Sequence, residues 1–516
     1  MYAKVYSAAI HGIHGRIIEV EADVSNGLPQ MTIVGLPDNS VRESTERVRT
    51  AIRNSDYEFP MARITINLAP ADVRKEGSAF DLAIAASLLI GSGQLTAHAI
   101  DGIPLIGELA LDGAVKPVLG IVSMVHALSL AGYQMVAVPI ANVAEARLIP
   151  HIRIIGIAHL SQLKVMKEIK LEENSAHTVP IADLQHVSME EEATNYDDVR
   201  GQPHAKRTMM IAAAGMHNLL LLGPPGSGKT MLLRRLPSIL PPLTDEEALE
   251  VMKIYSIVGQ KPRGSLLRPN RPFRAPHHTL SYAGMIGGGS MPKPGEVSLA
   301  HRGVLFLDEL PEFSRQVLEG LRQPLEDRHV TLSRARATLQ FPTSFLLATS
   351  MNPCPCGFAG DMNAARPCTC TPKIIHRYRS KLSGPLLDRI DIHAEVPRVE
   401  LPDLLVQARQ ENGLTSERMA QLVHQAHLRQ LERYRHLPLR FNSELTGQLI
   451  RQHCVIPAEG ERLLRQSYDY LGLSARAYDR ILKLARTIAD LEDSKCIQTA
   501  HLAEALQYRI LDRANT

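Results

Sequence analysis

Nowhere in the 516 residues is there an apolar run of the roughly 18 residues needed to cross a bilayer. The opening stretch, MYAKVYSAAIHGIHGRIIEVE, also lacks the long apolar core of a secretory signal, so the expectation is a cytoplasmic protein. There is no strong excess of either charge. A formal net charge of +3 means that any contact with nucleic acid must come from local clusters rather than from a global field. Cysteines are few, and four of the six crowd into one segment, as Cys354, Cys356, Cys368 and Cys370, a clustering that fits a metal or redox site in a reducing compartment better than a disulfide framework. There is no internal repeat and no low-complexity tract, which excludes solenoids and disordered arrays.

What is present is enough material for several cores, 45% of it hydrophobic. Residues 1–167 alternate short β-rich stretches (Arg16–Val20, Met31–Val34, Arg63–Leu68, Met135–Val138) with helical ones (Ser40–Asn54, Phe80–Ile90), an α/β pattern. Residues 168–195, with the acidic run Glu190-Glu191-Glu192, have weak periodicity and read as a linker. A second α/β region, 196–395, opens with a helix at Pro203–Gly215. From 396 to 516 almost no strand signal remains, and Ser416–Tyr434, Ser443–Cys454, Ala458–Leu471, Ala475–Leu491 and Thr499–Leu511 read as a helical bundle.

The buried strand Asn218–Leu222 runs directly into Gly223-Pro224-Pro225-Gly226-Ser227-Gly228-Lys229-Thr230. Glycines there let consecutive backbone N–H groups converge on phosphate oxygens at the start of a helix. In such a loop Lys229 reaches the β- and γ-phosphates and Thr230 ligates Mg²⁺, so the cofactors expected are ATP and Mg²⁺. A second apolar strand, Gly303–Leu307, ends in Asp308 and Glu309. Asp308 would hold the Mg²⁺ shell and Glu309 would orient or deprotonate the attacking water. A chance glycine-rich turn and a capped strand end are the bland readings of these motifs. They weaken once the two motifs stand together.

These motifs, with Phe273-Arg-Ala-Pro-His-His-Thr279, Gly295–Leu310 and Ser383-Gly-Pro-Leu-Leu-Asp-Arg-Ile-Asp391, resemble those of the magnesium-chelatase-like AAA+ ATPases. More narrowly, the whole chain is similar to the branch of that family that serves natural competence. The resemblance implies an AAA+ P-loop core, an N-terminal Lon-like α/β domain and a C-terminal helical lid. It implies a ring, a hexamer, that hydrolyses ATP and moves branched or single-stranded DNA during recombination, with a recombinase as a possible partner. It assigns Asn352, after the strand Ser344–Ser350, as a γ-phosphate sensor. Arg389 becomes an arginine finger acting on the neighbouring subunit and Arg476 a sensor-2 arginine, although either suits an ordinary surface ion pair. Two inserts are implied, one around Thr279–Glu296 and a pore-facing hairpin at Val330–Gln340. Arg334 and Arg336 on that hairpin are the candidate DNA contacts, beside Arg322 and Arg328. A second basic cluster, Lys373, Arg377, Arg379 and Lys381, has Tyr378 available for stacking.

The cysteine pattern, two close pairs eleven residues apart, is able to close a tetrahedral thiolate shell, for which Zn²⁺ is the natural structural occupant. Free or redox-active thiols are the alternative, because each pair is tighter than the usual two-residue gap. Two N-terminal stretches, Lys75–Asp81 and Gly107–Gly120, resemble the Lon protease domain. Laid on that pattern the serine position falls on Ala79 and the lysine position on Val122, so no Ser–Lys dyad is expected unless Ser78 and Lys116 form a shifted one. The alternatives to a DNA motor are a protein-remodelling ATPase similar to a magnesium-chelatase motor subunit and an active protease.

Overall fold

The first ten-residue strand of the computed structural model is one that sequence pattern passes over. Strand β1 (Tyr2–His11) is Ala- and Ser-rich and lacks clean alternation, yet it pairs along its whole length with β2 (His14–Ser25), turning at Gly12 with φ 63°. Described are residues 1–71, 74–166, 195–262, 264, 269–289, 292–334, 337–360, 367–399, 414–471 and 473–509. No described helix is long and apolar enough to cross a membrane.

The chain divides into two units, Met1–Ser188 with Asp245–Asn270, and Met189–Thr244 with Arg271–Thr516. In the first, β3 (Gln30–Val34) and β4 (Arg63–Ala69) complete a sheet of order β1-β2-β4-β3, in which only the β3–β4 pair is parallel. Helix Asn39–Arg53 starts at Asp38, whose side chain accepts from the Val41 N–H at 2.8 Å. Helix Asp81–Gly91 is apolar on nearly all sides and correspondingly buried. Its Asp81 is ion-paired to Arg47 at 2.8 Å, and burial still pushes that carboxyl up to about 6. Short strands β5 (Glu108–Leu109) and β6 (Val115–Lys116) form a hairpin, and β7 (Met135–Pro139) pairs in parallel with β8 (Arg153–Ile157).

Helix Asp245–Val258, which sequence reading places inside the ATPase core, belongs by its packing to this first unit. Its Met252 shares a core with Ile121, Val122 and Val125, and its Ser256 carbonyl accepts from the Gly120 N–H at 2.9 Å. Val122, at the position of the Lon lysine, is therefore filled into an apolar core. Ser78 donates to Glu108, the cross-strand neighbour of Lys116.

The second unit is built on five parallel strands: β9 (Leu219–Leu222), β10 (Phe273–Arg274), β13 (Val304–Leu307), β16 (Leu346–Met351) and β17 (Ile392–Glu395), in the order β10-β13-β16-β9-β17. Three of these, β9, β13 and β16, are buried along their full length, as apolar strands covered on both faces must be. Between them lie β11 (Gly287–Gly288) with β12 (Lys293–Pro294), and the hairpin β14 (His329–Arg334) with β15 (Ala337–Pro342). Helices Ser416–Arg433, Gln448–His453, Ala458–Leu471, Ala475–Leu491 and Thr499–Gln507 follow. They share one core with the sheet, in which Ile481, Leu484 and Ile488 join Leu219, Val304 and Leu346.

A buried polar chain ties this bundle to the sheet. His217 meets Asp391 at 3.4 Å and Thr487 at 2.8 Å, and Asn442 bridges Thr487 to Asp490, which also receives Arg433 and Arg486. Burial pushes the Asp391 carboxyl up, but Arg480, His217 and Lys483 more than reverse this and hold it well below the usual aspartate range.

Candidate functional site

Because β9, β13 and β16 are parallel and adjacent, the loops leaving their carboxyl ends converge. The glycine-rich loop leaves β9. Gly226 and Gly228 hold φ 76° and 86°, left-handed values that open the loop for backbone N–H groups. A Cβ at Gly223 would lie 2.3 Å from the Val396 carbonyl, so that position admits only glycine. Lys229 begins the following helix and folds its ammonium back onto the loop, donating to the carbonyls of Gly223 (2.7 Å) and Pro224 (2.9 Å) and to Asn352 Oδ1 (3.3 Å). Burial lowers its pKa.

Asp308, at the end of β13, accepts from Thr230 Oγ1 at 2.8 Å and from the Ser350 hydroxyl. A hydroxyl and a carboxylate side by side are hard oxygen donors, the chemistry that suits Mg²⁺ beside a phosphate. Glu309 next to it is held at φ 51°, a left-handed conformation that costs a non-glycine residue on the order of 1 kcal/mol. Its backbone N–H donates to Asp308 Oδ1 (3.1 Å) and Ser350 Oγ (3.4 Å), which fixes the strained turn. Lys229, Thr230, Asp308, Glu309 and Asn352 thus stand at one end of the sheet.

Arg389 and Arg476 stand at the other. Arg389 lies just before β17, and its side chain is only 9% exposed. It donates through Nη1 to the Pro385 carbonyl at 2.7 Å and through Nη2 to Glu326. Arg476, at the start of helix Ala475–Leu491, donates to the other oxygen of Glu326 at 3.3 Å. Burial and the neighbouring Arg476, Arg322 and Arg480 guanidinium groups lower the Arg389 pKa. A cavity of about 330 Å³ opens here, with Asn218, Arg302, Ser344 and Arg389 from just before β9, β13, β16 and β17 among its lining. The length of a four-residue strand, roughly 13 Å, separates this end from the phosphate loop.

The four cysteines come together, with all their sulfurs within 4.8 Å of one another. Individual separations are 3.3 Å (Cys354–Cys356), 3.5 Å (Cys356–Cys368) and 3.7 Å (Cys354–Cys368). A tetrahedron of sulfurs with metal bonds of about 2.3 Å has edges of about 3.8 Å, so the cluster fits a tetrathiolate metal site. The loop carrying it also touches the phosphate loop, since a Cβ at Gly357 would meet Pro225 at 2.5 Å.

The basic residues are less free than their spacing suggests. Arg322 is paired with Glu319 (2.8 Å), Arg328 with Glu444, and Lys381 with Glu312 (3.3 Å). The expectation that Tyr378 offers a stacking face is corrected: its ring is buried, with the Lys381 ammonium 5.6 Å from its centroid. Lys373 and Arg377 remain exposed on helix Pro372–Arg379. Arg334 ends β14 opposite Ala337, and Arg336 lies outside the described residues.

Three functional candidates escaped sequence reasoning. Ser350 had a signal, its place one strand-end away from Asp308. Gln202, left-handed at φ 59°, donates to the Ser227 carbonyl at 2.8 Å and braces the phosphate loop. Glu326 carries no sequence mark.

The family described as "Magnesium chelatase, subunit ChlI" matches residues 195–404, the related "Subunit ChlI of Mg-chelatase" matches 20–142, and "Magnesium chelatase, subunit ChlI C-terminal" matches 413–509. Over 99% of its length the chain is 45% identical to the uncharacterized protein YifB of Salmonella typhimurium, covering 97% of that protein. It is 42% identical to the competence protein ComM of Haemophilus influenzae, over 99% of this chain and 98% of that one. A partial similarity, 27% identity over 29% of the chain and 20% of its match, links it to the Lon protease of Roseiflexus castenholzii. Full-length identity on this scale, with the strand-end site in place, makes the chain a member of the YifB/ComM family of magnesium-chelatase-like AAA+ ATPases.

Proposed function

We propose that this protein is a ring-forming, ATP-driven DNA translocase that promotes branch migration during recombination in natural transformation. The observation that carries the ring is the placement of Arg389 and Arg476 beyond the opposite end of the sheet from Lys229. No arginine so placed reaches the γ-phosphate bound in its own chain, whereas a head-to-tail neighbour presents that end to the next subunit's nucleotide. ATP would sit on the glycine-rich loop with Mg²⁺ at Thr230 and Asp308, and Mg²⁺ would supply Lewis-acid stabilisation of the phosphates. Glu309 would orient and deprotonate water, Asn352 would hold it near the γ-phosphate, and Arg389 and Arg476 would stabilise charge developing on the neighbour's phosphate.

DNA as the load is supported by the full-length likeness to a protein named for competence. The exposed Lys373 and Arg377 and the β14–β15 hairpin with Arg334 and Arg336 are its proposed contacts. Zn²⁺ on Cys354, Cys356, Cys368 and Cys370 would pin the loop between Asn352 and Arg389 and brace Pro225, a structural role with no redox chemistry.

The test is strand exchange on synthetic four-way and three-stranded DNA with ATP, beside a Glu309→Gln control. DNA-stimulated ATP hydrolysis and movement of branches in the wild type alone are expected. ATP hydrolysis with neither DNA stimulation nor strand movement would instead favour a protein-remodelling motor, the reading that the magnesium-chelatase match at 195–404 supports.

A further inference from the structure

Two guanidinium groups brought together need an anion, and among the described residues a single carboxylate meets both. Glu326 gives one oxygen to Arg389 and the other to Arg476. Of the neighbouring acids, Glu319 meets Arg322 and Asp391 meets Arg480 at 3.4 Å, while Asp479 and Asp388 face the further cations Lys483 and Arg480. One carboxylate therefore serves two cations, and a positive charge is left over.

Helix stability does not explain Glu326. It occupies the last turn of the short helix Arg322–Asp327, where a negative charge opposes the helix dipole. Nor does Arg389 depend on it for position, because the Pro385 carbonyl holds Nη1 independently. The Arg389 Nε is buried and has no hydrogen-bond partner among the described residues, so the guanidinium retains donor capacity for a further acceptor. Glu326 itself is 49% exposed and Arg476 58%, which leaves the carboxylate room to swing aside.

We propose that Glu326 is the resident counter-anion of the Arg389–Arg476 pair: it holds the place that the terminal phosphate of an adjacent subunit's ATP takes in the ring, and so sets how much ATP assembly requires. This rests on the reading of both arginines as acting across a subunit interface. A triphosphate must displace Glu326 to be gripped. A diphosphate lacks the γ-phosphate that would do so, which makes the carboxylate a determinant of triphosphate over diphosphate.

Glu326→Gln keeps the shape and hydrogen-bonding capacity and removes the charge. In the full-length protein, ATP hydrolysis measured against ATP concentration should show half-saturation about five-fold lower in Glu326→Gln than in wild type, the scale of a half-exposed ion pair. Sedimentation should show ATP-driven assembly at correspondingly lower protein concentration, with no gain in ADP. Glu326→Asp, which keeps the charge, should return toward wild type. A lesion that merely loosened the helix would raise half-saturation, the opposite direction. Unchanged or raised half-saturation in Glu326→Gln, with an active wild type, overturns the proposal alone. A wild type that hydrolyses ATP without assembling removes the interface reading, and the proposal with it.

Discussion

Mixing two inactive variants should restore ATP hydrolysis. Lys229→Ala removes the phosphate-binding ammonium but leaves Arg389 and Arg476 in place. Arg389→Ala does the reverse, and it deletes a side chain held at the far end of β9, roughly 13 Å of strand from the loop. Each variant alone should lose most turnover, since a finger in trans is worth on the order of 10³- to 10⁵-fold. In an equal mixture that assembles at random, half the subunits carry an intact phosphate loop. Half of their neighbours carry an intact finger, so about one quarter of the interfaces are complete whatever the ring size. Turnover near a quarter of wild type, after controls confirm co-assembly, is the expected result of a coupled ATPase assay. If both arginines acted within their own chain, no mixed ring would contain a complete site. Absence of recovery in rings shown to contain both variants would therefore refute the interface placement.

Other outcomes follow from the same geometry. Glu309→Gln should bind ATP normally yet lose about 10²- to 10⁴-fold in turnover, measured by nucleotide binding beside phosphate release. Metal analysis should find about one zinc per chain, and Cys368→Ser should lose it together with assembly and ATPase; normal activity in the metal-free variant would remove the structural role. Gly357→Val should weaken ATP affinity by pressing on Pro225 and by straining a residue at φ 87°, which titration with a fluorescent nucleotide would read. Asp391→Asn should destabilise by about 3 kcal/mol at neutral pH, because it leaves the largely enclosed Arg480 without its carboxylate. The folded-state pKa of Asp391 is depressed, so its contribution is fully present above the usual aspartate value of about 3.9 and fades as pH falls below it. The difference between wild type and variant in urea unfolding should accordingly shrink toward pH 3.

How much of this was legible depended on the range of the interactions involved. Helices Pro203–Gly215, Ala458–Leu471 and Ala475–Leu491 match their sequence pattern to the residue, because periodicity and capping are local. The proposed ATP site stood out for a similar reason, since the glycine-rich loop, the Asp308–Glu309 pair and Asn352 each begin directly after a buried apolar strand. Strand β1 was not, because Ala8 and Ala9 carry little β preference and only pairing with β2 makes them a strand. Tyr378 was misread as a stacking platform because burial is decided by what packs over a residue, not by its neighbours in sequence.

By itself the sequence determined the family, the glycine-rich loop, the acidic strand end and the pairing of cysteines into one segment, all features carried by contiguous residues. Tertiary structure alone decided that Arg389 and Arg476 meet at Glu326, far from Lys229. It also decided that helix Asp245–Val258 packs with the N-terminal unit and that four sulfurs come within 4.8 Å of one another. The physical reason is that charge and metal-binding geometry act through space. Which end of a parallel sheet a side chain occupies is set by strand order and direction, and these emerge only when distant apolar strands are buried against one another.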